Sequence, residues 1–332
     1  MAVAVCFGEL LVDMVSDRAD ASLQEARRFL KAPGGAPANV AVGLARLGVP
    51  SAFVGQVGAD PFGDWLRGII AREKVDVTSL LSSPVARTTI AFVATRSDGR
   101  KDICFYRNPG ADALLNPDDL SPDLLDGARI FHCGSVSLSQ GPCREAQLQV
   151  ARWAVERGVM VSFDPNWRPS LWDDVNLAHQ LIWQMIPLSD VVKVADEEWE
   201  FITGTTDLAA GAAKIRATGP RLVVVTLGAN GAYFDCAGAH GKVREFPVDA
   251  IDTLGAGDAF VAGILSQILA HESLDAVLNE ATLREIIRFA NACGAFATQK
   301  PGAIPALPTR SEAIEFMRNS ESEEESYKWL QT

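Results

Sequence analysis

Short apolar segments alternate with longer amphipathic segments along most of the chain. The apolar runs at residues 3–8, 130–133, 159–164, 191–194 and 222–226 predict strands. The segments at residues 38–47, 144–157 and 209–217 have helical spacing, and a glycine follows each of them closely. Strands separated by helices of this length predict an α/β fold, with a mostly parallel central sheet and helices on both faces.

One region departs from this alternation. Residues 88–95 and 102–107 are rich in β-forming side chains, and the segment between them contains the pair Asp98-Gly99. This pair is a strong hairpin signal. A hairpin inserted between early α/β units does not suit the central sheet, so we expect it to belong to a small β-lid. The end of the chain from Asn319 is acidic and rich in serine, and it predicts a solvated, poorly ordered tail.

Composition narrows the possible partners. The 332 residues include 42 Asp and Glu but only 30 Lys and Arg, which gives a net charge of −12. Without basic clusters, nucleic acid and anionic membrane surfaces are disfavoured as partners. The longest uncharged stretch, residues 175–189, is too short and too polar to span a bilayer, and the N-terminus lacks a signal-peptide pattern. The six cysteines never come closer than ten residues, which argues against a zinc site. We therefore expect a cytoplasmic protein that acts on small molecules.

The segment with the clearest chemistry is Gly255-Ala-Gly-Asp258, just before an apolar helical run. Glycines at a helix start allow a ligand close to the backbone, and the free N–H groups favour an anion. An acid among these groups would repel a bound phosphate, but it suits a base that deprotonates a nucleophile beside the phosphate. From residue type alone, Asp258 could equally be an N-terminal acid that stabilises the helix dipole.

A second glycine pair, Gly34-Gly35, precedes a helix of small residues in which Asn39 could present its amide to a polar ligand. By itself this pattern is also common packing. The chain has no P-loop, no Gly-x-Gly-x-x-Gly after its first strand and no His-Arg-Asp kinase loop. Those nucleotide-binding classes are therefore disfavoured.

Two segments, taken together, are specific enough to indicate a protein family. PGGAPANVAVGLARLG at 33–48 and DTLGAGDAF at 252–260 resemble the two signatures of the ribokinase/PfkB carbohydrate kinase family, in the family's order. The likeness extends from GELLVD at 8–13 to KPGAIPALP at 300–308. FYRNPGAD at 105–112, FHCGS at 131–135 and DPNWR at 164–168 most resemble fructokinases of the plant and cyanobacterial type.

The resemblance implies a ribokinase-like kinase domain over residues 1–318, with lid elements around 10–32 and 86–110 and an acidic tail at 319–332. It implies that Asp258 is the catalytic base and that the amides of Gly255, Ala256 and Gly257 bind the transferring phosphoryl group. By the same resemblance the expected sugar contacts are Asp13, Gly34, Gly35, Asn39, Arg107, Arg168 and Asp258, with Arg168 also near the γ-phosphate. Ordinary ion pairing is the competing interpretation for the two arginines.

Cofactor sites follow from the same resemblance. The residues expected to contact ATP are Lys193, Thr226, Gly228, Gly231, Gly255, Gly257 and Asn291. Glu198 is expected to hold Mg²⁺ through water, although Ala195 stands where the family motif has Asn. Asp252 is the candidate ligand for a K⁺ ion.

The implied activity is transfer of the γ-phosphate of ATP to a primary hydroxyl, foremost from D-fructose to fructose 6-phosphate. Open alternatives are a 2-keto-3-deoxygluconate kinase or ribokinase of the same family, and a non-catalytic member that binds sugar or nucleotide as a regulator. A homodimer formed through the lid is also expected.

Overall fold

The computed structural model describes residues 2–18, 20–95 and 101–330. Its strands are β1 Ala4–Phe7, β2 Leu11–Ser16, β3 Phe29–Gly34, β4 Ser51–Gly58, β5 Leu80–Ser83, β6 Ile90–Thr95, β7 Lys101–Tyr106, β8 Ile130–Gly134, β9 Met160–Asp164, β10 Val191–Ala195, β11 Leu222–Thr226, β12 Ala232–Cys236 and β13 Ala239–Val243. Its α-helices are α1 Ala36–Arg46, α2 Pro61–Arg72, α3 Cys143–Glu156, α4 Val175–Met185, α5 Asp196–Thr203, α6 Leu208–Arg216, α7 Ala256–Leu269, α8 Glu280–Ala297, α9 Ala303–Ala306 and α10 Arg310–Leu330.

The described residues form a central sheet in the order β13-β12-β11-β10-β9-β8-β1-β4-β5. The strands from β11 through β5 in this order run parallel, and β12 and β13 are antiparallel additions at one edge. The predicted parallel α/β architecture is confirmed. The chain builds outward from β1 first towards β5 and later towards β13, so β1 and β8 flank the point where the strand order reverses. Ligands of open α/β sheets bind at such a point, beyond the carboxyl ends of the strands.

Both faces of the central sheet are covered. Helices α1, α7 and α8 pack on one face in a core that includes Leu44, Phe260 and Ile287. Helices α3 to α6 pack on the other face, in a core that includes Phe131 and Phe163. The parallel strands read as almost unbroken apolar runs because neither of their faces meets water.

A second, smaller sheet stands apart, in the order β3-β2-β6-β7. Strands β6 and β7 pair antiparallel from Ile90↔Tyr106 to Thr95↔Lys101, so the predicted hairpin is confirmed. The predicted turn pair Asp98-Gly99 lies outside the described residues. The first lid segment contributes β2 and β3, which carry Asp13 and Gly34 into this sheet.

The acidic end of the chain belongs to the last helix. The backbone of α10 is helical from Arg310 to Leu330; that the tail from Asn319 is solvated and poorly ordered stays a prediction. Glu and Lys are good helix formers, and Phe316 anchors the first half of the helix by edge-on contacts with Phe246 and Phe296. Among the described helices, none combines the length and apolarity that a bilayer span requires.

Candidate active site

The first wall of the site is the N-terminus of α7. Gly255 precedes the helix with φ +81°, and a Cβ there would lie 2.7 Å from the Cβ of Ala303. Only glycine meets both conditions without strain. The turn therefore leaves the first N–H groups of α7 without partners inside the helix, at the positive end of 14 helical residues; that of Ala256 donates to the carbonyl of Thr253 at 3.4 Å.

Asp258 lies in the first turn of α7 and is buried. Its Oδ2 accepts a 2.7 Å hydrogen bond from Nδ2 of Asn39, at the start of α1. Burial raises the pKa of Asp258 to about 6; the hydrogen bond from Asn39 and the charges of Lys193 and Arg168 lower it, whereas Asp164 raises it. A carboxylate that titrates near 6 is a stronger base than an ordinary aspartate and remains ionised at neutral pH.

The start of α1 forms the second wall. Gly35 has φ +111°, and a side chain there would collide with the carbonyl of Glu9. The carboxylate of Glu9 accepts the N–H of Ala36 at 2.9 Å and so holds the turn in place. A methyl group on Gly34 would overlap the carboxylate of Asp13, so the second sheet brings this acid directly against the glycine pair.

The third wall is the carboxyl edge of the central sheet. Nζ of Lys193, on β10, lies 3.1 Å from a carboxylate oxygen of Asp164, which ends β9. A Cβ on Gly257 would lie 3.5 Å from the same Nζ, so the ammonium faces the start of α7. Burial lowers the pKa of Lys193, but Asp164 and other acids outweigh this effect, and the pKa lies above its usual value. Lys193 is therefore charged at neutral pH.

Glu198 is also buried at this edge. Its two carboxylate oxygens accept the N–H groups of Trp167, at 2.7 Å, and Ala195, at 3.0 Å. Burial raises its pKa, and Asp164 raises it further. Ala195, which stands where the family motif has Asn, thus supplies only its backbone.

The two candidate arginines are placed differently. Arg168 is half-buried and donates to the carbonyls of Asn166 and Trp167 at 3.3 and 3.2 Å, so its guanidinium lies in the loop after β9. Arg107 is buried, and its Nε and Nη1 donate to Asp112 at 2.7 Å and to Ser139 at 2.8 Å. Its remaining nitrogen, Nη2, has no hydrogen-bond partner among the described residues.

The expected nucleotide residues lie further along the same edge. Thr226 ends β11 beside Ala195, and Gly228 and Gly231 follow it with positive φ angles of 53° and 83°. Asn291, on α8, donates to the carbonyl of Arg244 at 2.8 Å, and its Oδ1 is buried without a partner in the described part of the chain.

Asp252, the candidate K⁺ ligand, uses both carboxylate oxygens within the protein. One accepts the N–H of Leu254 and the other the N–H of Gly302, each at 2.9 Å. Its observed role is to tie the loop before α7 to the loop before α9.

The structure thus brings Asp258, Asn39 and Lys193 together, and it places Asp13, Gly34 and Gly35 on the adjoining wall. Sequence reasoning assigned no role to Asp164 or Glu9, although both are buried acids at the carboxyl ends of strands. That position was the available signal, since polar groups at such ends face the ligand crevice.

Comparison with known proteins identifies the family of the chain. Residues 1–310 match the family described as pfkB family carbohydrate kinase. The chain belongs to this family. A probable fructokinase-2 from Arabidopsis thaliana is 46% identical over 317 residues, which cover 95% of this chain and 96% of the relative. A fructokinase-2 from Solanum lycopersicum is 44% identical over 95% of both chains.

Solved structures of family members share the fold. A fructokinase from Xylella fastidiosa with bound ATP superposes with a TM-score of 0.88 at 34% identity, over 97% of this chain and 100% of that one. A fructokinase from Vibrio cholerae O395, in a form with fructose, ADP and calcium ion, has a TM-score of 0.85 at 36% identity, over 96% and 99%. The ribokinase-like fold expected from the motifs is therefore confirmed.

Proposed function

We propose that this chain is an ATP-dependent fructokinase that converts D-fructose to fructose 6-phosphate. The observation that carries the proposal is a buried carboxylate, Asp258, in the first turn of a helix and beside a buried ammonium, Lys193. A base next to an anion site is the pairing that phosphoryl transfer to a hydroxyl requires. The choice of sugar rests on the fructokinases that the chain resembles over nearly its whole length.

In the proposed reaction, Asp258 accepts the proton of the primary hydroxyl. The hydroxyl oxygen forms a bond to the γ-phosphorus while the bond from this phosphorus to the β-phosphate oxygen breaks, and ADP leaves with that electron pair. Asn39 donates to Asp258 and so fixes the direction in which the carboxylate faces. The protein contributes mainly by positioning the reactants, because the transition state requires little covalent chemistry from it.

The negative charge on the transferring phosphate must be stabilised by hydrogen-bond donors and cations. We assign the amides of Gly255, Ala256 and Gly257, together with Lys193 and Arg168, to the transferring phosphate. The helix dipole and the buried ammonium act in a site that excludes water, where they are more effective than in solution.

The sugar hydroxyls are assigned to the two walls that meet at the start of α1, namely to Asp13, Gly34, Gly35 and Asn39. Arg107 is the least direct of the candidate contacts, because two of its nitrogens already bind Asp112 and Ser139. Its unpartnered Nη2 is the atom that a sugar hydroxyl would engage. We assign the second sheet to closure over the sugar, which would exclude water as a competing nucleophile.

For the nucleotide, we assign Thr226, Gly228, Gly231 and Asn291 to ATP. Mg²⁺ fits this site in a limited way, since no cluster of three or more acidic, His or Cys side chains in the described residues could hold a metal. Mg²⁺ on ATP usually keeps several waters and needs few protein ligands, so Glu198 would hold it through water. When bound, the ion offsets the charge of the phosphates.

K⁺ dependence and dimer formation complete the proposal. We assign a K⁺ ion to Asp252, with carbonyls of the Gly302 loop as further ligands; that a mutant fructokinase from Vibrio cholerae O395 has a potassium-bound form supports a monovalent cation in this family. The second sheet exposes Leu30 and Tyr106, each 67% accessible, and we assign this sheet to contact with a second copy in a cytoplasmic homodimer.

The test is ADP release with Mg-ATP in the presence of fructose, glucose, ribose, 2-keto-3-deoxygluconate or no sugar. We expect strong turnover with fructose alone. Preference for another acceptor would retain the mechanism and replace the substrate. Folded protein that binds ATP but turns over none of the sugars would instead support the alternative, a non-catalytic regulator.

A further inference from the structure

Strand register places a second acid beside the lysine of the site. In the parallel pairing of β9 with β10, Ser162 lies opposite Val191 and Phe163 opposite Val192. Continuing this register by one residue sets Asp164 opposite Lys193, on the sheet face that α1 and α7 cover. The observed 3.1 Å separation between Nζ of Lys193 and a carboxylate oxygen of Asp164 agrees with this placement. The pair is therefore built into the central sheet.

The same ammonium has another available partner. It lies close to Gly257, one residue before Asp258, and its charge acts on the Asp258 carboxylate. In the described part of the chain, Asp258 nevertheless accepts its hydrogen bond from Asn39, and Lys193 donates to Asp164. A direct ion pair between Lys193 and Asp258 would stabilise the ionised carboxylate and make it a weaker base.

We propose that Asp164 is a positioning residue for phosphoryl transfer, which holds the Lys193 ammonium against the start of α7 and off the Asp258 carboxylate. This inference rests on the proposed kinase function. With Lys193 bound by Asp164 and close to Gly257, its charge remains directed at the amides where the phosphoryl group would lie. Asp258, which among the described residues accepts its side-chain hydrogen bond from the neutral amide of Asn39, keeps the basicity that proton transfer requires.

The groups around Lys193 and Asp164 indicate that Asp164 is the acid that positions the ammonium. On the neighbouring strand β8, burial lowers the pKa of His132 to about 4, so this side chain is neutral and adds no cation beside Asp164. Glu198 faces Lys193, but its two oxygens are engaged by backbone N–H groups. The charged groups that act on Asp258 are Asp164, Lys193 and Arg168, while α1 contributes only the neutral Asn39.

The experiment measures kcat and kcat/KM for fructose between pH 5 and 9, at saturating Mg-ATP, in the full chain and in Asp164→Asn. The wild-type rate should fall with acidification as Asp258 is protonated. In Asp164→Asn the negative charge that raises the pKa of Asp258 is lost and the released ammonium is free to approach Asp258, so the acid limb should move about one unit to lower pH. The plateau kcat should fall about 10- to 100-fold because both groups are misplaced. Circular dichroism and the thermal midpoint report folding.

Lys193→Gln gives the opposite signature. Asp258 then loses its nearest cation, and the acid limb should move to higher pH. If Asp164→Asn does not fold, this variant carries the test alone. A purely structural role for the pair would lower the rate of both variants without moving either limb.

The matched control is Asp235→Asn. Asp235 is a buried aspartate on β12 that pairs with Arg216 of α6 at 2.6 Å, away from the carboxyl edge described above. The same chemical change there should alter stability and leave the acid limb in place.

Two results would overturn the inference: an unmoved acid limb in folded Asp164→Asn or, where that variant does not fold, an unmoved limb in Lys193→Gln. A wild-type protein inactive with every sugar would refute the proposed function instead, so the two failures are distinguishable.

Discussion

The two aspartates proposed to meet the sugar, Asp13 and Asp258, stand on very different supports. Asp13 lies on β2 of the small sheet, between Ala32 of β3 and Ala91 of β6. Asp258 lies on α7, whose residues are almost all buried between the central sheet and its neighbouring helices. The acid proposed to orient the sugar thus belongs to the part of the protein proposed to close, and the acid proposed to act as base belongs to the buried core.

Removing the charge of Asp258 should have the largest effect. Asn keeps the shape of the side chain but cannot accept the hydroxyl proton, so Asp258→Asn should lower kcat about 10²–10⁴-fold. Fructose affinity, measured by calorimetry, should change little. Asp13→Asn is the matched variant in the small sheet, and it should weaken fructose binding more than it lowers kcat. Similar losses in both parameters for the two variants would remove the division of labour.

The site residues on the helices of the core were easier to predict from the sequence than those on the small sheet. The two glycine motifs placed Asp258 and Asn39 at helix starts, and both positions are confirmed. The hydrogen bond between them joins residues 219 positions apart and depends on how α1 packs beside α7. No local sequence pattern specifies a contact between two residues so far apart in the chain.

Asp164 shows a second limit of sequence reasoning. In the sequence, Asp164 is part of the DPNWR motif and has no assigned role of its own, whereas its partner Lys193 is assigned to the nucleotide. Their pairing follows only from the register of β9 and β10, which the sequence pattern does not specify.

The small-sheet side of the site, which carries Asp13, can be tested through Gly34. A methyl group at this position would overlap the Asp13 carboxylate, so Gly34→Ala should displace that acid from the sugar site. We expect KM for fructose to rise about tenfold, equivalent to about 1.4 kcal/mol, with KM for ATP unchanged. Gly68→Ala is the control, because a Cβ there meets only the end of Arg72 at 3.5 Å. A rise in both Michaelis constants would indicate general disruption rather than loss of the Asp13 contact.

Glu9 joins the two regions, since it lies between β1 of the central sheet and β2 of the small one. Burial raises its pKa to about 7 from an unfolded value of 4.5. Below 4.5 the carboxyl is protonated in both states, so it costs nothing. As pH rises from 4.5 to 7 only the unfolded state ionises, and the folded state loses stability; above 7 the loss is constant.

Glu9→Gln should therefore gain stability relative to the wild type over this pH range, by about 3 kcal/mol at pH 8, since each pKa unit of the shift is worth about 1.4 kcal/mol. Gln can still accept the N–H of Ala36 through its amide oxygen. Urea unfolding at pH 4.5, 6 and 8 measures the difference. Glu73→Gln is the opposite case, because a hydrogen bond from Arg46 lowers the pKa of Glu73 and its charge stabilises the fold. That variant should lose stability at pH 8 and approach the wild type under acid conditions. A Glu9→Gln difference that does not change with pH would show that the side chain matters here through its shape and hydrogen bond, and not through its charge.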